Sequence, residues 1–408
     1  MKFLHAADIH LDSPLAGLHA RAEPLGEELR GCTRRAFAKL IDLAIEEDVA
    51  FLVIAGDLYD GDWKDFSTGL FVAEQMRRLA RPCFLLRGNH DAESVITRRL
   101  PLPPNVHVFA TDRCETVQRP DLGVALHGHS FAERAVTRDL SAAYPAPVAG
   151  LLNIGVLHTS GDDPGEHDPY APCRPETLRL KGYGYWALGH IHQRRVLHRE
   201  PCWIVFPGNL QGRHIRETGA KGASLVTVED GRVVAVEHRS LDILRWAMLE
   251  VDAAGADEPA LERRIAAAVA DALAKAEGRP LLARLVLAGD CPVHGTPALE
   301  PDRVMALALD AAAATGGRLW IEKLRLRTMP PRVVAADTLE PLRDAFRASL
   351  EDRDLAAALL REFETLRNRV PAPVQGDLDV PRDVLGLARL LDEAWDAAAA
   401  AITAEAAP

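Results

Sequence analysis

The sequence lacks the features that mark a membrane, secreted or zinc-ribbon protein. No stretch holds enough uninterrupted apolar residues to span a bilayer, and the opening MKFLHAADIH lacks the basic region, apolar run and cleavage site of a signal peptide. The six cysteines are scattered without a C-x-x-C pair, so they show neither zinc-ribbon spacing nor a dense disulfide framework. We therefore expect a cytoplasmic protein with reduced, structural cysteines and no membrane association.

The chain also lacks an excess of basic residues. Its formal net charge is -11, from 48 Lys and Arg against 59 Asp and Glu. Non-specific affinity for nucleic acid comes largely from neutralising phosphates with Lys and Arg. A DNA-binding role for this chain therefore requires bound cations, a partner or a locally basic groove.

Patterning divides the 408 residues into three parts, because a chain of this length exceeds one ordinary hydrophobic core. Up to residue 240, apolar runs such as FLVIAGD and CFLLRGNH alternate with helical periods, which predicts an α/β domain closed by a hairpin at residues 229–231. A strand, helix, strand, helix, strand pattern then predicts a smaller α/β domain over 241–330. Residues 331–408 have a helical pattern.

Three of the early strands end in residues that bind metals. Asp8 and His10 lie two apart at the end of a strand in AADIH, where strand alternation is expected to turn both side chains to the same side. Asp57 follows a buried strand and a glycine in VIAGDLYD. LLRGNHD ends in Asn89 and His90, followed by Asp91. Alone, the first pair is also compatible with solvated surface residues, and Asp57 with an Asx turn. The Asn-His-Asp string is harder to explain as a turn.

Two later strands end in histidines. His158 closes IGVLH, and His190 and His192 lie two apart in LGHIH. A lone histidine such as His158 is more often a core residue, but here every group follows a predicted strand, where open α/β sheets place ligand sites. His127 and His129 in HGHS resemble a further pair, and we interpret them as structural or supporting residues.

Imidazole, carboxylate and amide oxygen ligands in this mixture suit Mn²⁺, Fe²⁺ or Zn²⁺ better than Ca²⁺. Two such ions about 3.5 to 4 Å apart can clamp the attacking and leaving oxygens of a phosphoryl displacement and activate a bound water. The pattern therefore predicts hydrolysis of a phosphoester.

The motifs D-x-H, GD, GNHD, a lone His and GH-x-H, in this order, resemble those of the calcineurin-like metallophosphoesterases. The fold that this implies has two packed mixed β-sheets flanked by helices. The resemblance implies two divalent metal ions, which we expect to be Mn²⁺, with Fe²⁺ or Zn²⁺ as alternatives. It implies the following ligand sets: for one ion Asp8, His10, Asp57 and His192; for the other Asp57, Asn89, His158 and His190.

The same resemblance gives His90 and Asp91 catalytic roles. His90 is expected to be the general acid that protonates the leaving oxygen, held in orientation by Asp91. Arg87, Arg213 and His214 lie in or near motif loops and are candidates for contacts with substrate phosphate. Arginine on a loop is more often solvated, so that alternative stays open.

Within the superfamily, segments such as KFLHAADIHLDSPL and FPGNLQGRHIRETGAKG are similar to the SbcD-like DNA repair exonuclease branch, and in particular to its YhaO-type members. This resemblance implies DNA as the substrate, a cap domain over 241–330, an SbcC-like ATPase of the SMC family as partner, and a homodimer. Tail residues that could dock on such a partner, or pack on the cap, are Leu342, Phe346, Leu350, Leu359, Phe363 and Leu366.

One departure from that branch concerns Asp60, which stands where relatives with strong double-strand exonuclease activity have histidine. We therefore keep two alternatives to a DNA nuclease. One is a phosphatase or phosphodiesterase for small molecules or phosphoproteins, which the acidic charge favours. The other is a non-catalytic scaffold, which the complete set of ligands argues against.

Overall fold

The structure is a computed structural model. It describes residues 1–13, 31–60, 66–93, 102–162 and 170–331, and then 343–344, 348, 353–369, 380–390 and 394–395. The chain divides into two compact units. The first holds most of the chain up to Met248 and the second most of it from Leu249 onward. The three domain boundaries expected from the sequence stay a prediction.

Twelve strands form the two sheets of the first unit. They are β1 (Lys2–Ala6), β2 (Phe51–Ala55), β3 (Cys83–Leu86), β4 (Val106–Val108), β5 (Glu115–Arg119), β6 (Val124–Gly128), β7 (Leu152–His158), β8 (Tyr185–Gly189), β9 (Arg195–His198), β10 (Trp203–Phe206), β11 (Gly222–Glu229) and β12 (Arg232–Ser240). The strand orders are β12-β11-β1-β2-β3-β4 and β5-β6-β7-β8-β10-β9. Both sheets are mixed. In the first, β1 to β4 are parallel and β11 and β12 add antiparallel pairs at one edge. In the second, β6, β7, β8 and β10 are parallel, and β5 and β9 pair antiparallel at the two edges.

Side-chain alternation along the strands builds a separate core on each face of the first sheet. Phe3 on β1 packs with residues of the second sheet, including Val156 and Tyr185, and these form the core between the sheets. The next residue, Leu4, points to the opposite face and packs against the helices there, including Phe37. The two sheets therefore form the packed α/β architecture that the resemblance predicted.

Among the described residues of this region, four helices accompany these sheets: α1 (Cys32–Glu46), α2 (Phe66–Leu79), α3 (Asn89–Glu93) and α4 (Pro175–Leu180). Helix α1 buries Phe37, Leu40, Ile41 and Ala44, a spacing of three and four residues that forms one apolar stripe. This stripe contributes to the core on the outer face of the first sheet.

The predicted hairpin at residues 229–231 is confirmed. Strands β11 and β12 pair antiparallel and are joined by Asp230 and Gly231. Both residues have positive φ, at 47° and 73°, which suits the primed two-residue turns whose twist matches the flanking strands.

The order of elements predicted for residues 241–330 is also confirmed. It consists of β13 (Arg245–Asp252), α5 (Glu258–Lys275), β14 (Leu281–Asp290), α6 (Pro301–Ala314) and β15 (Leu319–Met329), with the three strands in the order β13-β14-β15. Helix α7 (Arg353–Arg369) follows and carries Leu359, Phe363 and Leu366. Leu342, Phe346 and Leu350 lie outside the described residues, so the docking face stays a prediction.

All six cysteines are free thiols, and all except Cys114 are buried, as expected for structural residues. Within the described ranges, no helix is long and apolar enough to cross a membrane.

Candidate metal centre

The predicted metal-binding residues meet where the two sheets present the carboxyl ends of their parallel strands. Strands β1, β2 and β3 are neighbours in the first sheet, and β7 and β8 are neighbours in the second. Parallel neighbours end at the same edge of a sheet, so residues distant in sequence become neighbours in space. The residues brought together are Asp8, His10, Asp57, Asn89, His90, His158, His190 and His192.

The turn after β1, rather than strand alternation, places Asp8 and His10. Strand β1 ends at Ala6, and both residues have positive φ, at 51° and 44°. The carbonyl of Asp57 accepts hydrogen bonds from the amides of Ile9 (2.8 Å) and His10 (3.0 Å), which locks this turn to the one after β2. The expectation that a strand directs both side chains is therefore corrected. Left-handed backbone at ordinary residues is uncommon and tends to gather at functional sites.

One cluster of ligand atoms comprises Asp8, His10 and His192, all within 4.8 Å of one another. The Nε2 atoms of His10 and His192 are 3.2 Å apart, and the Nε2 of His10 is 3.8 Å from an Asp57 oxygen. The predicted set for the first ion is thus assembled in one place.

A second cluster comprises Asp8, Asp57 and His158, also within 4.8 Å. The Nε2 of His158 lies 3.5 Å from an Asp57 oxygen and 2.9 Å from the Asn89 side-chain oxygen. The ring of His190 is 5.2 Å from that of His158. Asp8 belongs to both clusters, and Asp57, a member of the second, also lies 3.8 Å from His10 of the first. His10, Asp60 and His90 form a further group of potential ligand atoms within the same distance.

Two glycines allow this close packing. A Cβ at Gly56 would overlap the His158 imidazole, and one at Gly88 would overlap the Asp57 carboxylate. Gly56 also has a backbone φ of 101°, a conformation that residues with a side chain rarely adopt. The glycines that precede the Asp and Asn motifs are thus required by the space around Asp57.

The electrostatics of the centre fit a cation. Burial, with the nearby Asp57 charge, raises the pKa of Asp8 to about 7. Burial would also raise the pKa of Asp57, but the neighbouring His158 lowers it well below its usual range. Burial opposes the charged form of His158, yet Asp57 raises its pKa to about 9. Divalent ions would stabilise two features of this centre: the buried acids that compete for one histidine, and the two imidazole Nε2 atoms that face each other.

The structure corrects the predicted partner of His90. Its Nδ1 lies 3.0 Å from an Asp60 oxygen, and the Asp60 charge raises the pKa of His90 against the opposing effect of burial. The hydrogen bond with His90 lowers the pKa of Asp60 to about 2. The residue that contacts the His90 imidazole is therefore Asp60, the position at which the sequence departs from the expected histidine.

Asp91 has a different role from the expected one. Its carboxylate accepts hydrogen bonds from the backbone amides of Leu58 (3.2 Å), Tyr59 (2.9 Å) and Gly88 (3.1 Å). Burial and the nearby Asp57 charge raise its pKa to about 6. Asp91 joins the turns after β2 and β3 and does not contact the His90 imidazole.

The three candidate phosphate contacts are placed differently. Arg213 and His214 line the cavity over the metal-binding residues, but Arg213 is also 3.7 Å from Asp60 and 3.8 Å from Glu217. His214 lies 3.3 Å from Glu217. Arg87 is half-buried and is absent from the described lining of this cavity.

This cavity has a volume of about 660 Å³ and is lined by residues that the motifs did not indicate. They are Arg134, Arg195, Arg216, Glu217, Lys221 and Tyr170. Arg216, Glu217 and Lys221 lie within FPGNLQGRHIRETGAKG, a segment that carries the resemblance to the SbcD-like branch, and Arg195 follows GHIH closely. No such signal marked Arg134 and Tyr170. Neither charge nor periodicity distinguishes them from surface residues.

His127 and His129 lie outside the clusters of metal-ligand atoms found among the described residues. The His127 ring bonds Asn153 and Thr116, each at 2.9 Å, and stacks on Tyr183. These contacts agree with the structural role expected for His127. His129 is buried, and it borders a different cavity of about 280 Å³.

Comparisons with known proteins give the same class as the geometry. The family model described as calcineurin-like phosphoesterase matches residues 1–194, and one described as the middle domain of metallophosphoesterase YhaO matches 246–329. The chain is 35% identical to the uncharacterized metallophosphoesterase YhaO of Bacillus subtilis, over 72% of each chain. It is 24% identical to the DNA double-strand break repair protein Mre11 of Sulfurisphaera tokodaii, over 59% of this chain and 63% of that one. It is 25% identical to Mre11 of Aeropyrum pernix, over 76% of this chain and 77% of that one.

A mixed two-sheet α/β fold with two overlapping clusters of metal ligands defines a metal-dependent phosphoester hydrolase. The chain belongs to the calcineurin-like metallophosphoesterase family, and its similarity to YhaO extends over 299 residues, more than the phosphoesterase family model matches.

Proposed function

We propose that the protein is a two-metal phosphodiester hydrolase acting on DNA, as an exonuclease or endonuclease of a repair system. The observation that carries this proposal is the pair of clusters that share Asp8 and are joined by Asp57, next to a cavity that Asp57 and His90 line. His90 and His10 have ring centroids 4.8 Å apart, so the proposed acid adjoins the proposed metal ligands.

In this proposal Asp8, His10, Asp57 and His192 hold one ion, and Asp57, Asn89, His158 and His190 hold the other. Mn²⁺ bound there would neutralise phosphoryl charge and lower the pKa of a bound water. Because the Asp57 carboxylate also accepts the backbone amide of His90 at 3.0 Å, the bridging ligand fixes the position of the acid.

His90 would supply the proton to the leaving oxygen. Its Nδ1 is engaged by Asp60, which leaves Nε2 as the nitrogen able to donate to substrate. The His90 side chain is 31% exposed and lines the cavity, so it is reachable from solvent. A positioned acid of this kind contributes about 10² to 10⁴ in rate.

The cavity walls support a substrate with several phosphates. Arg134, Arg195, Arg216 and Lys221 line it together with the metal-binding residues. A local concentration of cations can attract a polyanion even on a chain of net charge -11. Two similar proteins are named as DNA double-strand break repair proteins, which agrees with this substrate class.

A second candidate is hydrolysis of small phosphoesters, which the overall acidic charge favours. An acidic surface repels long nucleic acid outside the cavity, whereas a small ester is affected only by the field within it. Relative turnover of a small diester, a monoester and DNA separates these two functions.

We also propose the wider assignments made from the sequence. Residues 1–240 are the catalytic domain, 241–330 a cap that selects substrate, and 331–408 a helical region that docks on an SbcC-like ATPase; the protein is a homodimer. The match of a middle-domain model to residues 246–329 supports the cap assignment.

The test is digestion of end-labelled single- and double-stranded DNA with Mn²⁺, comparing the wild type with Asp57→Ala. Glu47→Gln is the matched control, since Glu47 pairs with Lys2 and Arg239 on the surface. We expect cleavage by the wild type and the control only. Intact DNA with rapid turnover of small esters would favour the second candidate. Failure to bind Mn²⁺ would overturn both.

A further inference from the structure

The Glu217 carboxylate is the least expected feature of the cavity. Glu217 is only 5% exposed, and it belongs to none of the groups of potential metal-ligand atoms found among the described residues. A buried carboxylate is costly unless it is well paired and hydrogen-bonded, so its contacts indicate its role.

Both oxygens of Glu217 are used as acceptors. Oε1 lies 2.6 Å from the Nδ1 of His192 and 3.3 Å from the Nε2 of His214. Oε2 accepts from the Asn209 side-chain amide at 2.9 Å and from the Arg213 backbone amide at 2.7 Å. The second pair of bonds holds the carboxylate in the one orientation that meets His192.

This geometry determines the tautomer of His192. An ionised carboxylate can only accept, so the 2.6 Å contact with Glu217 assigns the proton to the Nδ1 of His192 and leaves its Nε2 with a lone pair. An Arg213 nitrogen, which can only donate, is farther from the same Nδ1, at 3.5 Å. That Nε2 is the atom 3.2 Å from the Nε2 of His10, within the first cluster. Glu217 therefore presents the metal-binding nitrogen of His192 to the centre, as outer carboxylates do for histidine ligands in general.

The Arg213 side chain lies between Glu217 and Asp60. One of its terminal nitrogens lies 3.8 Å from Oε1 of Glu217, and the other lies 3.7 Å from an Asp60 oxygen and 3.2 Å from the Ser13 hydroxyl. Asp60 in turn bonds His90. Glu217 and Arg213 thus connect a proposed metal ligand with the proposed general acid.

We propose that Glu217 is a positioning residue that holds His192 in its metal-binding tautomer and, through Arg213, aligns Asp60 with His90. This inference rests on the proposed two-metal centre. It gives Arg213 a role in aligning protein groups, which differs from the phosphate contact expected from the sequence.

Glu217→Gln tests the proposal because glutamine keeps the size but has one acceptor oxygen. Either His192 or the pair of amide donors must then face an NH₂ group. By the usual effect of such outer partners, we expect one of two Mn²⁺ sites to weaken by about 10- to 100-fold, with lower kcat on a small diester. Glu217→Asp keeps both acceptors on a shorter arm and should recover part of the affinity.

Isothermal titration of metal-free protein with Mn²⁺ is the first measurement, with Glu47→Gln as the matched Glu-to-Gln control. If Glu217→Gln binds both ions as the wild type does and keeps its kcat, the inference is wrong while the metal centre stands. If the wild type binds no Mn²⁺, the proposed function fails instead.

A second measurement needs no substitution at Glu217. Nitrogen-15 NMR of histidine-labelled, metal-free protein, with His192→Ala to assign the signal, should show His192 protonated on Nδ1. A proton on Nε2 would overturn the proposal independently of any effect of the variants on folding.

Discussion

Replacing Asp60 with asparagine should impair proton donation without removing the metals. Asp60 is not in either proposed ligand set, and its carboxylate lies 3.0 Å from the Nδ1 of His90. Asparagine keeps the shape but loses the charge. The lost interaction is a hydrogen bond between charged groups, ordinarily about 1.5–3 kcal/mol.

The lower part of that range applies, because the His90 and Asp60 side chains are 31% and 19% exposed and water screens their attraction. A loss of about 1.5–2 kcal/mol corresponds to a decrease in kcat of roughly 10- to 30-fold.

The assay compares two diesters at saturating Mn²⁺. A dinucleotide has a poor alkoxide leaving group that needs a proton, whereas a nitrophenyl diester has a leaving group that departs as an anion. Asp60→Asn should slow the first by roughly 10- to 30-fold and the second by less than about threefold, since general acid catalysis matters only where the leaving group needs the proton. Asp91→Asn is the contrasting variant, because its carboxylate accepts three backbone amides; it should lower thermal stability without this selectivity. Equal losses on both diesters in Asp60→Asn would refute the assignment of Asp60.

Three further outcomes are expected. Burial lowers the pKa of His5 to about 3, so the native state keeps His5 neutral, whereas the unfolded chain protonates it below about pH 6.5. The free energy of unfolding is therefore highest above that pH and falls toward pH 3. In urea unfolding, His5→Gln should remove about 2 kcal/mol of the loss in stability between pH 7 and pH 5. Arg245→Ala should cost about 3 kcal/mol in the same assay, because it leaves the buried Asp242 short of a partner, whereas Arg119→Ala in an exposed pair should cost under about 1 kcal/mol. Gly88→Ala should weaken Mn²⁺ binding in calorimetry, because its Cβ would overlap the bridging carboxylate; unchanged binding would show that the turn has room to shift.

The sequence was sufficient to predict that the proposed metal-binding residues gather in one place, because one simple rule governs their position. Each follows or closes an apolar strand, and parallel strands present their carboxyl ends at one edge. Thus His158 at the end of β7 and Asp57 after β2 lie 101 residues apart in sequence, yet an oxygen and a nitrogen of their side chains are 3.5 Å apart. The elements of residues 241–330 were predictable for a related reason, since strands and helices there have distinct apolar periods.

The supporting residues could not be found in this way. Glu217 and His192 are brought together by the loop that follows β10, and no periodic pattern specifies a loop contact. Arg134 reaches the same cavity from a loop and Arg195 from the start of β9, and in sequence each is one arginine among many. Such groups become visible only when the distances between side chains are known.

Asp60 and Asp91 show why adjacency in sequence misled the assignment of the acid's partner. Asp91 is next to His90, but both residues lie on the short helix α3, where consecutive side chains point in different directions. Its carboxylate turns inward to the backbone of Leu58 and Tyr59, while Asp60, from the segment after β2, contacts the Nδ1 of the imidazole. The position that seemed to lack a phosphate-side histidine therefore supplies the carboxylate on which the proposed acid depends, and a histidine placed there would remove that carboxylate and add a competing positive charge.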